Sequence, residues 1–234
     1  MYVSIILRMW AIIFSVGFTL QAYGAVSKNL QIENALRMPL PNRLEAIEKQ
    51  GVYARHALRK IAFNESATLE NRWRAITTYG RLYAKTDHDV IERALLSREW
   101  FMRNAALLTI HYGGRDWAIK WASKLLQDKS LIVRTAAVKS LRKTNASETE
   151  SLLWNKFYSK ENYHAGQSLW IRRHILEALT QFSRPGQEKV FIRVLSDKDK
   201  TLHSIALQAL NKITKEKYKT SAEWENWLAA RNKI

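Results

Sequence analysis

A repeated segment constrains the fold of this chain more than any other feature of its sequence. Five six-residue segments align without gaps and carry a basic residue in second place: 71–76, 102–107, 133–138, 171–176 and 202–207. The second residues of successive segments lie 31, 31, 38 and 31 positions apart. Regular spacing of this length indicates an array of structural units, each of which contacts its neighbours along the chain.

Each unit has the pattern of two helices. The third segment places apolar residues on one face of a helix, which we call helix B: Val133, Ala137, Val138 and Leu141. An amphipathic stretch, helix A, precedes each B helix, at residues 87–96, 115–126, 147–158 and 186–195. Neither helix can bury its apolar face alone, so the sequence predicts stacked helix pairs with a continuous core.

The residues from Asp128 to Leu141, DKSLIVRTAAVKSL, resemble the HEAT signature D-x-x-x-x-V-R-x-A-A-x-x-x-L. The 31-residue period is similar to that of the short bacterial HEAT-like family. The resemblance covers roughly residues 41–214. It implies an all-α fold, an α-α superhelix (HEAT-type solenoid) of about five or six helix pairs. We also expect a Trp-containing C-terminal helix and no β-sheet.

The chain departs from the family pattern at three places. His203 stands where an arginine is expected, and Ser97 stands where an aspartate is expected. The 38-residue spacing places extra residues within 159–168, between a helix A and its helix B. A fold of this type implies little about function.

The sequence divides into four predicted parts. Residues 1–24 resemble a signal peptide, with Arg8 before an apolar run over 10–20 and Ala22-Tyr23-Gly24 as the cleavage site. An N-terminal extension (25–40), the repeat array (41–214) and a capping helix (215–234) follow. We therefore expect an exported, periplasmic protein whose mature chain has no transmembrane span. A buried first helix, or an uncleaved segment that anchors the chain in a membrane, are the alternatives.

The chain is strongly basic, with 38 Lys and Arg against 21 Asp and Glu and a formal net charge of +17. Such a charge attracts acidic proteins, nucleic acid and other polyanions. Because the charge is spread along the chain, an ordinary solvated basic surface explains it equally well. The absence of cysteine excludes disulfides, zinc–thiolate sites and a cysteine nucleophile.

An arginine recurs at the same place in four repeats, and we call this set the arginine ladder: Arg72, Arg103, Arg134 and Arg172. In the HEAT-like family such an arginine pairs with a loop aspartate of its own or the next repeat. The resemblance therefore implies a structural role, with Asp128 and Asp197 as partners. A stripe of cations that binds phosphate groups is the alternative.

Other helix B positions are expected on the concave surface and are the candidate partner-binding residues: Trp73, Asn104, His111, Lys139, Arg142 and Arg173. Mixed basic, polar and aromatic side chains suit a peptide or a nucleic-acid strand. An ordinary solvated helix face is the alternative. Tyr163 and His164, in the 159–168 insertion, form a competing candidate site at one edge of the array.

The sequence predicts a binding protein rather than an enzyme. It lacks nucleotide-binding, serine-hydrolase and zinc-protease motifs, and its six histidines are scattered. No catalytic residue, cofactor or metal is predicted, and Asp87-His88-Asp89 is interpreted as a helix start. We expect an exported scaffold that binds a protein or peptide through its basic concave face.

The alternative is a polyanion or nucleic-acid binder, including a protein similar to the HEAT-like bacterial DNA glycosylases. Those enzymes act in the cytoplasm, which the leader disfavours. They also imply an aspartate beside tryptophan on helix B, whereas Asp116-Trp117 lies on a helix A. A phycobilin-lyase-like protein shares only the repeat with this chain.

Overall fold

A computed structural model describes residues 28–231 of the chain. The fold is all-α, as the repeat predicts. Helix α1 occupies residues 28–37 of the described part. The other helices are α2 (Leu40–Glu48), α3 (Val52–Ala62), α4 (Leu69–Tyr83), α5 (Asp89–Leu95), α6 (Trp100–Thr109), α7 (Arg115–Leu125), α8 (Leu131–Lys143), α9 (Glu150–Phe157), α10 (Ile171–Phe182), α11 (Glu188–Leu195), α12 (His203–Thr214) and α13 (Ser221–Arg231). The described residues divide into two compact units, one that ends at Ala94 and one that begins at Leu95. The predicted signal peptide lies outside the described residues.

In the first unit, α4 packs against both α2 and α3. Residues 28–37, from the predicted N-terminal extension, supply α1, on which Ile32 and Leu36 are fully buried. The side chain of Arg74 donates a hydrogen bond to the carbonyl of Leu36 at 3.2 Å. The hydroxyl of Thr68 accepts from the backbone N–H of Asn71 and so caps the start of α4.

The second unit contains the stacked pairs that the period predicts. Its B helices α6, α8, α10 and α12 pack side by side in chain order. The A helices α7, α9 and α11 each pack against the B helix that follows. Every helix thereby buries an apolar face that it could not bury alone.

Small residues bring the B helices close together. Ala106 on α6 and Ala137 on α8 are both completely buried, as the helical spacing predicts. Val133 and Leu141 on α8 are also 0% exposed. Complete burial of a valine or leucine side chain stabilises a fold by about 1.5–3 kcal/mol. These contacts recur from pair to pair, which explains why the period is visible in the sequence.

The final helix, α13, begins with the capping box that the sequence predicts. The backbone N–H of Thr220 donates to the Glu223 carboxylate at 2.8 Å, and the N–H of Glu223 donates to the Thr220 hydroxyl at 3.2 Å. Trp224 is fully buried, and its ring N–H donates to the carbonyl of Tyr218 at 3.2 Å. These contacts fix α13 against α11.

The link between α9 and α10 departs from the expectation of no β-sheet. Strands β1 (Tyr163–His164) and β2 (Gln167–Ser168) form a small antiparallel hairpin. Ala165 and Gly166 at its tip have φ values of 48° and 76°, the positive values of the tight turns that suit two-residue hairpins. The expectation was wrong here because two-residue strands are too short for an alternating apolar pattern.

Candidate partner-binding site

The arginine ladder lies inside the protein. The exposed fractions of its four members are 8%, 6%, 5% and 0%, for Arg72, Arg103, Arg134 and Arg172 respectively. Buried guanidinium groups do not present a stripe of cations to phosphate groups in solution. They need hydrogen-bond acceptors within the fold, because an unpaired buried charge is costly.

Arg103 is held by two successive turns. Its Nε and Nη2 donate to the two carboxylate oxygens of Asp128 at 2.6 and 2.8 Å, a bidentate ion pair. Its Nη1 donates to the carbonyls of Ser97 and Arg98 at 2.9 Å each. The guanidinium therefore joins the turn before α6 to the turn before α8.

Arg172 has the corresponding contacts two repeats later. Its Nη2 and Nη1 donate to Asp197 at 2.6 and 3.2 Å, and its Nε donates to the carbonyl of Phe157 at 3.1 Å. The guanidinium carbon lies 4.3 Å from the ring centre of Phe157 and 4.6 Å from that of Tyr163. The insertion thus covers this arginine with an aromatic ring.

Both aspartates have pKa values below the ordinary value for aspartate. Burial alone would raise the pKa of Asp128 and of Asp197. Hydrogen bonds from Arg103 and Arg172, and from the backbone N–H two residues after each aspartate, outweigh that effect. Both carboxylates are therefore ionised at neutral pH.

Arg134 has no aspartate at the corresponding place. Its Nη1 donates to the backbone carbonyl of Asp128 at 2.9 Å. Its Nη2 donates to the carbonyl of Glu161 at 3.1 Å and reaches the side-chain oxygen of Asn162 at 3.4 Å. Asn162 is 1% exposed, and its amide nitrogen donates to the carbonyl of Lys156 at 2.6 Å. Sequence reasoning missed Asn162 because the insertion moves it out of register with the loop aspartates.

Two other residues differ from the repeat pattern but still form hydrogen bonds with the turn, His203 and Ser97. His203 replaces an arginine, and its Nε2 donates to the carbonyl of Asp197 at 2.9 Å. The hydroxyl of Ser97, which replaces an aspartate, accepts from the N–H of Glu99 at 3.2 Å. In the first unit, Arg72 donates from Nε to the carbonyl of Ala62 at 3.1 Å.

A groove of about 230 Å³ lies on the B-helix side of α6 and α8, and we call it the B-helix groove. Its lining consists of Asn104, Leu108, Ile132, Thr135, Ala136, Lys139 and Trp170. Two of the six candidate partner-binding residues, Asn104 and Lys139, are therefore brought together here. Lys139 is exposed and forms no ion pair with another residue between 28 and 231.

Apolar side chains are exposed along this groove. The exposed fractions of Leu108, Ile132 and Trp170 are 38%, 44% and 55%. Exposed apolar side chains that cluster in a concavity mark binding surfaces more often than isolated ones do. Sequence reasoning missed Ile132 and Trp170, although both directly precede the apolar start of a B helix. The available signal was a bulky apolar residue at this place in two successive repeats, although Phe101, at the same place in the repeat before them, is buried.

Hydrogen bonds hold the indole of Trp170 in place. Its ring N–H donates to the hydroxyl of Thr135 at 3.2 Å, and that hydroxyl donates to the carbonyl of Leu131 at 2.8 Å. The indole is thus positioned before any partner binds. A fixed aromatic side chain loses little conformational entropy on binding.

The two candidate arginines lie beside a shared carboxylate. Arg142 and Arg173 donate to the two oxygens of Glu177 at 2.7 and 3.2 Å, and His174 lies 3.2 Å from the same group. Burial would raise the pKa of Glu177, but the hydrogen bonds with His174 and Arg173 lower it below the ordinary value. Glu177 is therefore ionised and offsets part of the positive charge of these arginines.

The other two candidates lie elsewhere. His111 is half-buried in the 3₁₀ turn after α6, with its ring centre 4.1 Å from that of Tyr112. Trp73 is half-buried on α4, in the first unit. Neither residue lines the B-helix groove.

Asp87, a potential metal ligand just before α5, is engaged in hydrogen bonds within the fold. Asp87 accepts hydrogen bonds from Arg55 and Tyr79 and from the N–H of Asp89, where α5 begins. Between residues 28 and 231, no group of three or more His, Cys, Asp or Glu side chains could hold a metal ion. The helices of this range are all too short or too polar to cross a bilayer.

Comparisons with known proteins give little information. No protein-family model matches the sequence, and no curated protein is significantly similar to it. One similar solved structure is that of the complex of CpcE and CpcF of phycocyanin lyase from Nostoc sp. PCC7120. The similarity covers 79% of this chain and 76% of the matched chain in that structure. The sequence identity is 18% and the TM-score is 0.41. A likeness this distant carries no argument about function.

Proposed function

We propose that this protein is a scaffold that binds an acidic segment of a protein partner in the B-helix groove. The observation that carries the proposal is the composition of that groove. It combines three exposed apolar side chains with the cation of Lys139 and a pre-positioned indole at Trp170.

The size of the groove favours a peptide segment. Its volume of about 230 Å³ lies below the range of roughly 300–1,000 Å³ that is usual for small-molecule sites. One or two side chains of a partner would fill it. Leu108, Ile132 and Trp170 would contact an apolar side chain, and tryptophan is the residue type most enriched among binding hot spots.

The charge distribution favours an acidic partner. Lys139 lines the groove without an opposing carboxylate among the described residues. A carboxylate of the partner would pair with it, while the net charge of +17 would increase the rate of encounter with acidic proteins.

A nucleic-acid strand suits this surface less well. Binding to a phosphate backbone needs several cations along one track. The ladder arginines are buried, and Glu177 partly neutralises Arg142 and Arg173. Lys139 is the one basic side chain in the lining of the groove.

Export is part of the proposal and is supported by the sequence alone. Arg8, the apolar run over 10–20 and Ala22-Tyr23-Gly24 have the order of a cleavable leader. N-terminal sequencing of the native protein should begin at Ala25. A soluble cytoplasmic protein that begins at Met1 would overturn this part.

The test of the binding proposal is site-specific photo-crosslinking in native cells. A photo-reactive residue at Ile132 should form adducts that map by mass spectrometry to protein segments with a bulky apolar residue close to Asp or Glu. The same photo-reactive residue at the exposed Lys120 of α7 is the control and should not yield these adducts.

Lys139→Gln should lower the adduct yield from Ile132 several-fold at low salt and less at high salt, because salt screens exposed charges. Adducts with nucleic acid, or the same products from both positions, would contradict the proposal.

A further inference from the structure

A second and larger cavity lies beside the inserted hairpin, and we call it the hairpin cavity. Its volume is about 680 Å³, within the range of roughly 300–1,000 Å³ that is usual for small-molecule sites. The hairpin contributes Tyr163, Gln167 and Ser168 to the lining, and the residues around α11 contribute Arg193 and Lys198. The regular link between α7 and α8 covers only residues 126–130, whereas this link covers 158–170. The insertion therefore supplies one wall of the cavity.

The carboxylates of the cavity are already engaged within the protein. Asp197 is paired with Arg172 and accepts the N–H of Asp199 at 2.9 Å. Asp199 accepts the N–H and the hydroxyl of Thr201 at 3.1 and 2.6 Å. Both oxygens of Asp197 thus accept hydrogen bonds from within the protein, and Oδ1 of Asp199 accepts two.

Two cations of the cavity are not paired with a carboxylate of the described residues. Arg193 and Lys198 are exposed, and neither forms an ion pair within residues 28–231. The guanidinium of Arg193 lies over the ring of Tyr158, 5.0 Å from its centre. A contact of this type limits where the guanidinium can move and leaves its N–H groups available to a ligand.

The aromatic walls add apolar surface and hydroxyl donors. Tyr158 lines the cavity and stacks on Trp154, with ring centres 6.2 Å apart. Burial raises the pKa of Tyr158 and of Tyr163 above the ordinary value for tyrosine. Both hydroxyls therefore keep their protons at neutral pH and can donate hydrogen bonds to an anionic ligand.

We propose that the hairpin cavity binds a small molecule that carries an oxyanion, a carboxylate or a phosphate, on a flat aromatic body. Arg193 and Lys198 would bind the oxyanion, and the rings of Tyr158 and Tyr163 would contact the flat body. The site uses none of the residues that line the B-helix groove, so it does not depend on the proposed function.

The test is a titration of the full chain that is followed by NMR at the backbone amides of Gly166 and Ser196, which line the cavity. The probes are phenyl phosphate, benzoate, inorganic phosphate and neutral phenol. Phenyl phosphate or benzoate should shift both amides saturably, and the stronger of the two identifies the oxyanion. Phenol and inorganic phosphate should each bind at least ten-fold more weakly, since each lacks half of the recognised chemistry. The proposal is overturned if neither aromatic anion saturates, or if phenol binds equally well.

Matched double variants separate a built site from general attraction by a basic protein. Arg193→Gln with Lys198→Gln should weaken the preferred probe at least ten-fold. Lys120→Gln with Lys189→Gln removes the same charge from exposed positions outside the lining and should change the affinity less than two-fold. Equal losses in both double variants would overturn the proposal. All four replaced side chains are exposed, so melting temperatures close to that of the wild type are expected and serve as the folding control.

Discussion

Arg103 and Arg134 occupy the same place in successive repeats, yet the protein holds them differently. Arg103 forms a bidentate ion pair with Asp128. Arg134, which is equally buried, is bound by three backbone carbonyls, those of Asp128, Lys129 and Glu161, and at 3.4 Å by the amide oxygen of Asn162. The difference arises because the insertion follows Arg134, where a regular repeat would supply a short turn with an aspartate.

A repeat of this type requires hydrogen-bond acceptors for its buried arginine, and an aspartate is the usual acceptor but not a necessary one. A buried guanidinium needs acceptors for its N–H groups, and neutral carbonyls can supply several of them. A carboxylate at this place also balances the charge. The positive charge of Arg134 is only partly balanced, because Asp128 already pairs with Arg103. Arg134 still interacts with Asp128, since its charge further lowers the pKa of that carboxyl.

The largest effect is expected from Asp128→Asn. The change keeps the shape of the side chain but leaves the guanidinium of Arg103 buried without a carboxylate. Removal of one partner of a buried ion pair costs about 3–5 kcal/mol. Urea unfolding should show this loss in the free energy of unfolding. Asp116→Asn, at a side chain that is 97% exposed, is the control and should cost less than about 0.5 kcal/mol. A loss below about 1 kcal/mol for Asp128→Asn would show that the ion pair does not hold this turn.

The pH dependence of stability should depend on the ion pair between Asp128 and Arg103. The pKa of Asp128 is lower in the folded protein than in the unfolded chain, so its contribution is present at neutral pH. That contribution is lost as the pH falls below about 4 and through the folded pKa. Melting temperatures from pH 6 to pH 2 should fall less steeply for Asp128→Asn than for the wild type. Parallel curves would contradict the assigned shift.

A smaller loss is expected from Asn162→Asp. This change supplies the aspartate of a regular repeat near Arg134. It also removes the amide that donates to the carbonyl of Lys156 at 2.6 Å and places a carboxylate oxygen against that carbonyl. We expect a net destabilisation of about 1 kcal/mol by urea unfolding, since a single hydrogen bond contributes about 0.5–1.5 kcal/mol. A clear stabilisation would mean that Arg134 lacks only a carboxylate.

The smallest effect is a gain at the tip of the insertion. Ala165 has a positive φ, a conformation that costs a residue with a side chain roughly 1–2 kcal/mol. Asparagine tolerates it better and is preferred in this turn, so Ala165→Asn should stabilise the protein by about 0.5–1 kcal/mol. Ala229→Asn, at an exposed position of α13, should have the opposite sign because asparagine is a poorer helix former. A loss of stability on Ala165→Asn would contradict the described turn.

The sequence predicts those parts of the molecule that repeat. Helix pairs, buried alanines and the capping box of α13 follow from spacing and local hydrogen-bond chemistry, because the same contacts recur in each unit. A pairing of the ladder arginines with Asp128 and Asp197 is implied by the resemblance to the HEAT-like family, and the structure shows that Asp128 pairs with Arg103 of the preceding repeat. Asn162 and the hairpin could not be predicted, since each occurs once and depends on contacts distant in sequence. Trp170 was missed because its exposure depends on how α8 and α10 pack.

The most direct test of the central claim compares two exposed tryptophans of the second unit. Trp170 lines the B-helix groove, whereas Trp100, which is 44% exposed, does not. The yield of partner adducts from a photo-reactive residue at Leu108 is measured in native cells for Trp170→Ala and for Trp100→Ala. If the B-helix groove is the binding site, the adduct yield should fall at least five-fold with Trp170→Ala and change little with Trp100→Ala. Equal yields from the two variants would contradict it.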